Sequence, residues 1–181
     1  MSESSKRHKA EAPKQLNFAL IMCSTSRFTS MNEVKQAKDP SGDLIVEALR
    51  KSGQGVVARV LVPDDEKMIR KAVEEALQDE NVEAVVVCGG TGIAPKDVTI
   101  ETISPMLRKI LPGFGELFRK LSYDSIGSAA ILSRAAAGIM NGKAVFCIPG
   151  SIDAVRLCLD KLILPETAHI VKHARENNDQ G

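Results

Sequence analysis

The run of five apolar residues Ala84–Cys88 constrains the fold of this chain more than any other feature of its sequence. A strand that is apolar at every position is typical of a parallel sheet covered by helices on both faces, whereas a half-solvated strand alternates apolar and polar residues. The run leads into glycines and then an acid: Gly89, Gly90, Thr91 and Gly92 come first, and Asp97 follows after four intervening residues. Because open parallel sheets bind ligands beyond the carboxyl ends of their strands, this segment predicts a ligand site.

The glycine segment favours a ligand that carries phosphate. The N–H groups of glycines can approach phosphate oxygens without interference from side chains, and a nearby carboxylate can hold the accompanying cation. Two common nucleotide motifs are absent: Lys96 follows Pro95 where a P-loop lysine follows a glycine, and Pro95 occupies the place of the third glycine of a dinucleotide motif. The alternative interpretation is a strand-to-helix turn in which the glycines only supply positive φ angles.

The length and composition of the chain indicate one domain that binds a small ligand. Its 181 residues, 44% of them hydrophobic, suit a domain over residues 15–175, between a flexible polar tail (1–14) and a polar C-terminal end (176–181). The formal charge of +1 and the 3% aromatic content disfavour nucleic acid as a partner. No apolar run approaches the about 20 residues of a membrane span, and no signal peptide is visible, so we expect neither membrane insertion nor export.

The spacing of the cysteines and histidines gives little support for a disulfide or a metal site. Four cysteines lie far apart, and none belongs to a Cys-x-x-Cys pair: Cys23, Cys88, Cys147 and Cys158. This pattern predicts buried free thiols in a cytoplasmic protein. His169 and His173 share a helix face at a spacing that some metal sites use, but no third ligand accompanies them, so packed or solvated histidines are favoured.

Predicted strands and helices alternate along the chain. The strand-like runs are residues 16–23, 56–62, 84–88, 129–132 and 143–147. Helical periodicity follows most of them, including a last helix over residues 152–174. Alternation with short connections predicts an α/β fold, a three-layer α/β/α sandwich around a mostly parallel sheet.

Four loops follow predicted strands, at residues 24–27, 63–65, 89–97 and 148–151. Because the carboxyl ends of parallel strands meet at one edge of a sheet, we expect these loops to converge. Asp64 and Asp97 would then face a shared cleft, where two carboxylates can position Mg²⁺ on a triphosphate. The alternative for each aspartate is a cap or first-turn acid of a helix, and Ser151 is likewise either a cap or part of an anion site.

The order of the short motifs resembles the MoaB/MogA family of molybdenum cofactor biosynthesis proteins. The motifs are Gly89-Gly90-Thr91-Gly92, Pro95, Asp97-Val98-Thr99, Pro112-Gly113-Phe114-Gly115-Glu116, Leu132-Ser133-Arg134 and Pro149-Gly150-Ser151. The resemblance covers about residues 16–174, nearly the whole chain, and residues 121–138 are more similar to the MoaB branch than to the MogA branch.

The resemblance implies a molybdopterin-binding α/β fold and the adenylylation of molybdopterin. The terminal phosphate of molybdopterin attacks the α-phosphorus of the substrate ATP, Mg²⁺ neutralises charge, and pyrophosphate leaves. The two functional aspartates of the family, which are catalytic and bind the metal, map onto Asp64 and Asp97. The nucleotide-binding residues map onto Gly89, Gly90, Thr91, Gly92, Pro149, Gly150 and Ser151, and the pterin-binding residues map onto Ser24, Ser133 and Arg134.

The resemblance also bears on assembly and partners. It implies a homotrimer or a hexamer, and a molybdenum-insertion protein as a downstream partner. The MoaB branch includes members thought to lack the activity, so the alternative is a catalytically silent molybdopterin- or nucleotide-binding oligomer of the same fold. The sequence departs from the family in its longer polar N-terminal tail and in residues 24–27, where many members carry an aspartate.

Overall fold

A computed structural model of this chain describes residues 13–34 and 38–176. Most of the predicted polar tail (1–14) and of the predicted polar C-terminal end (176–181) therefore lies outside the described residues. The helices and strands in chain order are β1 (Asn17–Cys23), α1 (Thr25–Val34), α2 (Pro40–Lys51), β2 (Gly55–Val62), α3 (Glu66–Gln78), β3 (Ala84–Cys88), α4 (Thr99–Ile103), β4 (Lys109–Ile110), α5 (Pro112–Ile126), β5 (Ala136–Met140), β6 (Lys143–Ile148), α6 (Ile152–Cys158) and α7 (Leu164–Arg175).

The strands of the described residues form one sheet in the order β2-β1-β3-β6-β5-β4. The first four strands in this order run parallel, and β5 and β4 extend the sheet with antiparallel pairing. The third strand, β3, lies between β1 and β6 and is buried at every position. This placement confirms the interpretation of its unbroken apolar sequence.

Helices cover both faces of the sheet. On one face, Leu20, Val86 and Phe146 pack against residues of α2, α5, α6 and α7. On the other face, Ile21 and Val87 pack against α3 and α4. Because neighbouring strand residues point to opposite faces, the same apolar strands supply both cores. The predicted three-layer sandwich with a mostly parallel sheet is confirmed.

The strand predicted over residues 129–132 is wrong. These residues lie in a 3₁₀ turn, Gly127–Leu132, in which Ile131 is 83% exposed and Leu132 is 55% exposed. The strand of this region is β5, which pairs with β6. Periodicity alone does not distinguish a short apolar run in a strand from one in a turn, and Gly127, with φ of 59°, directs the chain out of α5.

Two further boundaries depart from the sequence-based expectations. Residues 24–27, predicted as a loop, open α1, since the N–H of Phe28 donates to the carbonyl of Ser24 at 2.9 Å. A hydroxyl-rich segment is also a helix-start signal, which explains the error. The predicted last helix consists of α6, a π-helical turn (Leu159–Ile163) and α7. No helix among the described residues is long and apolar enough to cross a membrane.

Candidate functional site

The carboxyl ends of the four parallel strands bring their loops into contact, as predicted. The N–H of Ser24, after β1, donates to the carbonyl of Val62 at the end of β2, at 2.9 Å. The N–H of Gly89, after β3, donates to the carbonyl of Ile148 at the end of β6, also at 2.9 Å. After β1 the chain crosses to one face of the sheet, and after β3 it crosses to the other face. The strand order therefore reverses between β1 and β3, and open α/β sheets bind ligands at such a point.

The glycine loop, residues 89–97, begins with two backbone conformations that require glycine. Gly89 has φ of 108° and Gly90 has φ of 61°. A Cβ atom on Gly89 would lie 2.2 Å from the carbonyl oxygen of Cys23, and one on Gly90 would lie 2.6 Å from Oγ1 of Thr99. The buried Thr99 holds the turn, because its Oγ1 donates to the carbonyl of Gly89 at 2.8 Å. The turn interpretation is therefore correct for the backbone, and it leaves the surface of the loop open to a ligand.

Asp64 lies beside this turn. Its Oδ2 accepts hydrogen bonds from the N–H and the hydroxyl of Thr25, both at 2.8 Å. Its Oδ1 points at Gly90, since a Cβ atom there would lie 2.9 Å from it. The side chain that caps α3 belongs to Asp65, which accepts from the N–H of Met68. The capping interpretation of Asp64 is therefore wrong, and its carboxylate instead joins the start of α1 to the glycine loop.

Asp97 closes the other end of the glycine loop. Its Oδ2 accepts a hydrogen bond from the N–H of Ala94 at 2.9 Å. A Cβ atom on Gly92 would lie 2.6 Å from the same oxygen, so the carboxylate lies directly against this glycine. Helix α4 begins at Thr99 without a side-chain cap, which makes the capping interpretation of Asp97 wrong. Asp64 and Asp97 thus contact one short stretch of loop, at Gly90 and at Gly92.

A cavity of about 460 Å³ opens beside the glycine loop, which is within the usual size range of ligand sites. Nine of its lining residues are predicted site residues: Gly90, Thr91, Gly92, Asp97, Ser133, Arg134, Pro149, Gly150 and Ser151. The sequence-based reasoning missed the opposite wall, which α5, the turn after it and α6 supply: Phe118, Ser122, Ser125, Ile126, Leu132, Asp153, Ala154 and Leu157. The cavity therefore combines glycines of two loops with apolar and polar side chains from α5, α6 and the turn after α5.

Three predicted site residues do not line this cavity. Gly89 is buried behind it, Ser24 lies at the start of α1 with its hydroxyl 3.3 Å from that of Ser26, and Asp64 lines an adjoining depression with Lys96. The expectation of one cleft shared by both aspartates needs correction, because they contact the same loop but line different depressions. Gly90 lines the cavity, and Oδ1 of Asp64 lies beside Gly90 without lining the cavity itself.

The comparisons with known proteins agree with this geometry. Residues 19–169 match the molybdenum cofactor biosynthesis family, described as a "probable molybdopterin binding domain". The chain belongs to this family. It is 44% identical over 171 residues to molybdenum cofactor biosynthesis protein B of Bacillus subtilis, which covers 94% of this chain and 96% of the relative. It is 43% identical over 173 residues to molybdopterin adenylyltransferase of Pyrococcus furiosus, covering 93% and 97%.

Solved structures of the family share the fold. A crystal structure of molybdenum cofactor biosynthesis protein B aligns with a TM-score of 0.83 and 43% identity, covering 91% of this chain and 99% of that one. The resemblance to the MoaB/MogA family is therefore confirmed. The family domain, residues 19–169, includes the glycine loop, the Pro-Gly loop (residues 149–151) and both aspartates.

The Pro-Gly loop of this family member is held by a network that starts at α2. The hydroxyl of the buried Ser41 donates to the carbonyl of Gly150 at 2.7 Å. Asp39 caps α2 by accepting from the N–H of Gly42, and its carboxylate also pairs with Arg27 and Arg59. The segment from Asp39 to Gly42 is readable in the sequence as a helix start, but its contact with a loop more than 100 residues away is set only by folding.

The four cysteine side chains are not suited to act as nucleophiles. All four cysteines are buried and free, as predicted. Burial raises the pKa of Cys23 and of Cys158 to about 12, and it raises the pKa of Cys88 and of Cys147 still further above the ordinary thiol value. A thiolate is the reactive form of cysteine, so none of these side chains is a nucleophile at neutral pH.

The two histidines lie apart from the cavity, on α7. The Nε2 atoms of His169 and His173 are 2.9 Å apart. Among the described residues there is no cluster of three or more histidine, cysteine or carboxylate side chains that could hold a metal ion.

Proposed function

We propose that this protein adenylylates molybdopterin with Mg-ATP. In this reaction an oxygen of the terminal phosphate of molybdopterin forms a bond to the α-phosphorus of ATP, and the bond from that phosphorus to the pyrophosphate oxygen breaks. The products are adenylyl-molybdopterin and pyrophosphate. One observation carries the proposal: Asp64 and Asp97 lie against Gly90 and Gly92 of a loop that opens onto a cavity of ligand size.

The nucleotide phosphates are proposed to lie between the glycine loop and the Pro-Gly loop. Gly90, Gly92 and Gly150 carry no side chains, and all three line the cavity, so phosphate oxygens can approach the backbone there. Ile126 and Leu132 of the opposite wall, which are 54% and 55% exposed, supply an apolar surface for a ring of the substrates. Gly89 contributes indirectly, because its buried turn sets the path of the loop.

The two carboxylates fit a magnesium ion. Oxygen is the donor that Mg²⁺ prefers, and proteins usually hold this ion with one or two carboxylates together with substrate phosphates and water. In Asp64 and Asp97, Oδ2 accepts the hydrogen bonds that the described residues donate, which leaves Oδ1 for a ligand. A bound Mg²⁺ supplies neutralisation of the phosphate charge. Thr25 and Ala94 orient the two carboxylates by donating hydrogen bonds to them.

The reaction needs positioning more than a covalent nucleophile. Phosphoryl transfer is accelerated mainly by alignment of the reacting groups and by stabilisation of charge. Loop N–H groups and two fixed aspartates provide both, and the buried cysteines are not required. Ser133 lines the cavity and is our proposed contact for the pterin phosphate. Ser24 lies outside the cavity and would contact only a part of molybdopterin that extends beyond it.

We also propose that the protein works in the cytoplasm as a homotrimer or hexamer and passes its product to a molybdenum-insertion protein. Exposed apolar side chains on α5 support assembly, because a subunit contact would cover them: Leu117 and Tyr123. The cytoplasmic location is supported by the four buried free thiols.

A catalytically silent molybdopterin- or nucleotide-binding oligomer is the second candidate. One observation favours it: Arg134 is the single basic side chain among the cavity-lining residues of the described chain, and it is already bonded to the protein. A site for two phosphorylated substrates would then depend on backbone N–H groups and metal for its positive charge.

The test is product formation from purified protein, Mg-ATP and molybdopterin. We expect one pyrophosphate per adenylyl-molybdopterin, with kcat/KM at least about 100-fold lower in Asp64→Asn because the metal-binding carboxylate is lost. Glu74→Gln, a change of an exposed carboxylate on α3, should keep the wild-type rate. Equal and negligible product from wild type and Asp64→Asn, with molybdopterin still bound, would support the silent binding protein instead.

A further inference from the structure

Arg134 reaches from the chain segment before β5 to the glycine loop. Its Nε donates to the carbonyl of Thr91 at 2.9 Å, and its Nη2 donates to the carbonyl of Gly92 at 2.6 Å. The other side of the guanidinium pairs with Glu101 of α4, from Nη1 to Oε1 at 2.6 Å and from Nη2 to Oε2 at 3.2 Å. These bonds use four of the five N–H groups of the side chain.

We propose that Arg134 and Glu101 form a clamp that fixes the peptide groups of the glycine loop in their phosphate-binding direction, so that Arg134 is a positioning residue. The inference rests on the proposed use of this loop for nucleotide. It departs from the pterin-binding role that the family resemblance implies for Arg134. A direct contact with substrate phosphate would be limited to the one remaining N–H, unless the guanidinium gave up the carbonyls or the carboxylate that it already holds.

The planarity of the peptide bond explains how the clamp acts. The carbonyl of one residue and the N–H of the next point in opposite directions across a trans peptide, and the loop peptides are trans. By holding the carbonyls of Thr91 and Gly92, Arg134 therefore fixes the directions of the N–H groups of Gly92 and Ile93. Gly92 is also the residue against which Asp97 lies. The clamp thus orients two loop amides and supports one proposed metal ligand.

The chemistry of arginine suits this role. A guanidinium presents N–H donors in a rigid, planar fork that can hold two carbonyls and a bidentate carboxylate at once, whereas a lysine ammonium is a single point of charge on a flexible stem. The bond from Arg134 lowers the pKa of Glu101 below its ordinary value, so the pair is charged at neutral pH. Both side chains are partly exposed, at 32% and 50%, so the ion pair by itself contributes little to folding.

Steady-state kinetics with each substrate varied separates the clamp from a pterin contact. In Arg134→Gln we expect the KM for Mg-ATP to rise about tenfold and kcat to fall, while the KM for molybdopterin changes less than about twofold. Glu101→Gln should shift the same parameters in the same direction by about threefold, and Arg134→Lys should restore only a part of the loss. Arg70→Gln, at an exposed position of α3, is the matched control.

A selective rise of the KM for molybdopterin in Arg134→Gln, with Glu101→Gln equal to wild type, would overturn the clamp. Glu101→Gln also keeps the test decisive should Arg134→Gln fail to fold.

Two measurements test the clamp without turnover: hydrogen exchange of residues 89–94 and calorimetry of Mg-ATP binding without molybdopterin. We expect faster exchange and weaker binding in both variants. If the wild type binds Mg-ATP without turnover, the proposed function fails but these readouts still test the clamp, and wild-type values in both variants would refute it.

Discussion

The two sides of the cavity recognise a ligand by different means. On the loop side, Gly90, Gly92 and Gly150 offer backbone, and the space beside the first two is already taken by Thr99, Asp64 and Asp97. On the wall side, α5 and the turn after it offer side chains, several of which remain partly exposed. Recognition by the backbone depends on atoms whose positions are fixed by close packing, whereas an apolar wall can repack around a changed side chain. Substitutions on the loop side should therefore reduce activity far more than substitutions on the wall side.

The largest effect is expected from Gly90→Ala. The added Cβ would lie 2.6 Å from Oγ1 of Thr99, and φ of 61° is unfavourable for alanine by about 1 kcal/mol or more. We expect adenylylation to fall about 100-fold, because displacements near 1 Å misalign reacting groups. The measurement is pyrophosphate release together with thermal unfolding.

Gly113→Ala is the matched control for this prediction. Gly113 lies in the first turn of α5, and a Cβ atom there would have nothing within 4 Å. Alanine is favoured over glycine in a helix, so the variant should be as stable as wild type or slightly more so, at the wild-type rate. A Gly90→Ala protein with normal kcat/KM would show that the loop side is as tolerant as the wall.

A smaller effect is expected from Ser41→Ala, which acts on the loop side at a distance. The change removes the 2.7 Å hydrogen bond to the carbonyl of Gly150, and a buried bond of this kind contributes about 1 kcal/mol. We expect a lower unfolding temperature and a KM for Mg-ATP about three- to tenfold higher, because the Pro-Gly loop loses its support. Ser30→Ala, an exposed change in α1, should alter neither quantity. An unchanged KM in Ser41→Ala would exclude the Pro-Gly loop from nucleotide binding.

The smallest effect is expected on the wall side, from Leu132→Ala. Leu132 lines the cavity but is 55% exposed, so its truncation should change the free energy of unfolding by less than about 0.5 kcal/mol. The loss of apolar contact should raise the KM of one substrate about two- to fivefold. Ile131→Ala removes a neighbouring side chain that is 83% exposed and does not line the cavity, and it should leave both KM values unchanged. Equal changes of KM in Leu132→Ala and Ile131→Ala would show that the substrate ring does not bind against this wall.

The loop side is also the part of the site that the sequence predicts best. The apolar run of β3 identifies a buried parallel strand, and strand ends in such a sheet converge by topology, which places the glycine loop and the Pro-Gly loop together. The capping alternatives for Asp64 and Asp97 could not be decided from local sequence, because neighbouring residues such as Asp65 carry the same signal.

The rest of the site depends on contacts between distant segments. Thr25 holds Asp64 across 39 residues, and Arg134 holds Thr91 across 43. Neither pairing has a local sequence signal, since each arises from the packing of separate elements. Leu132 was unpredictable for another reason: cavity walls and cores are built from the same apolar residue types, and only the fold shows that Leu132 stays 55% exposed at the cavity.

The most direct test is a crystal structure with Mg²⁺ and a non-hydrolysable ATP analogue. The account predicts phosphates between the glycine loop and the Pro-Gly loop, Mg²⁺ on the carboxylates of Asp64 and Asp97, and Arg134 still bonded to the carbonyls of Thr91 and Gly92. Phosphates bound elsewhere, with the glycine loop and both aspartates free of ligand, would contradict it.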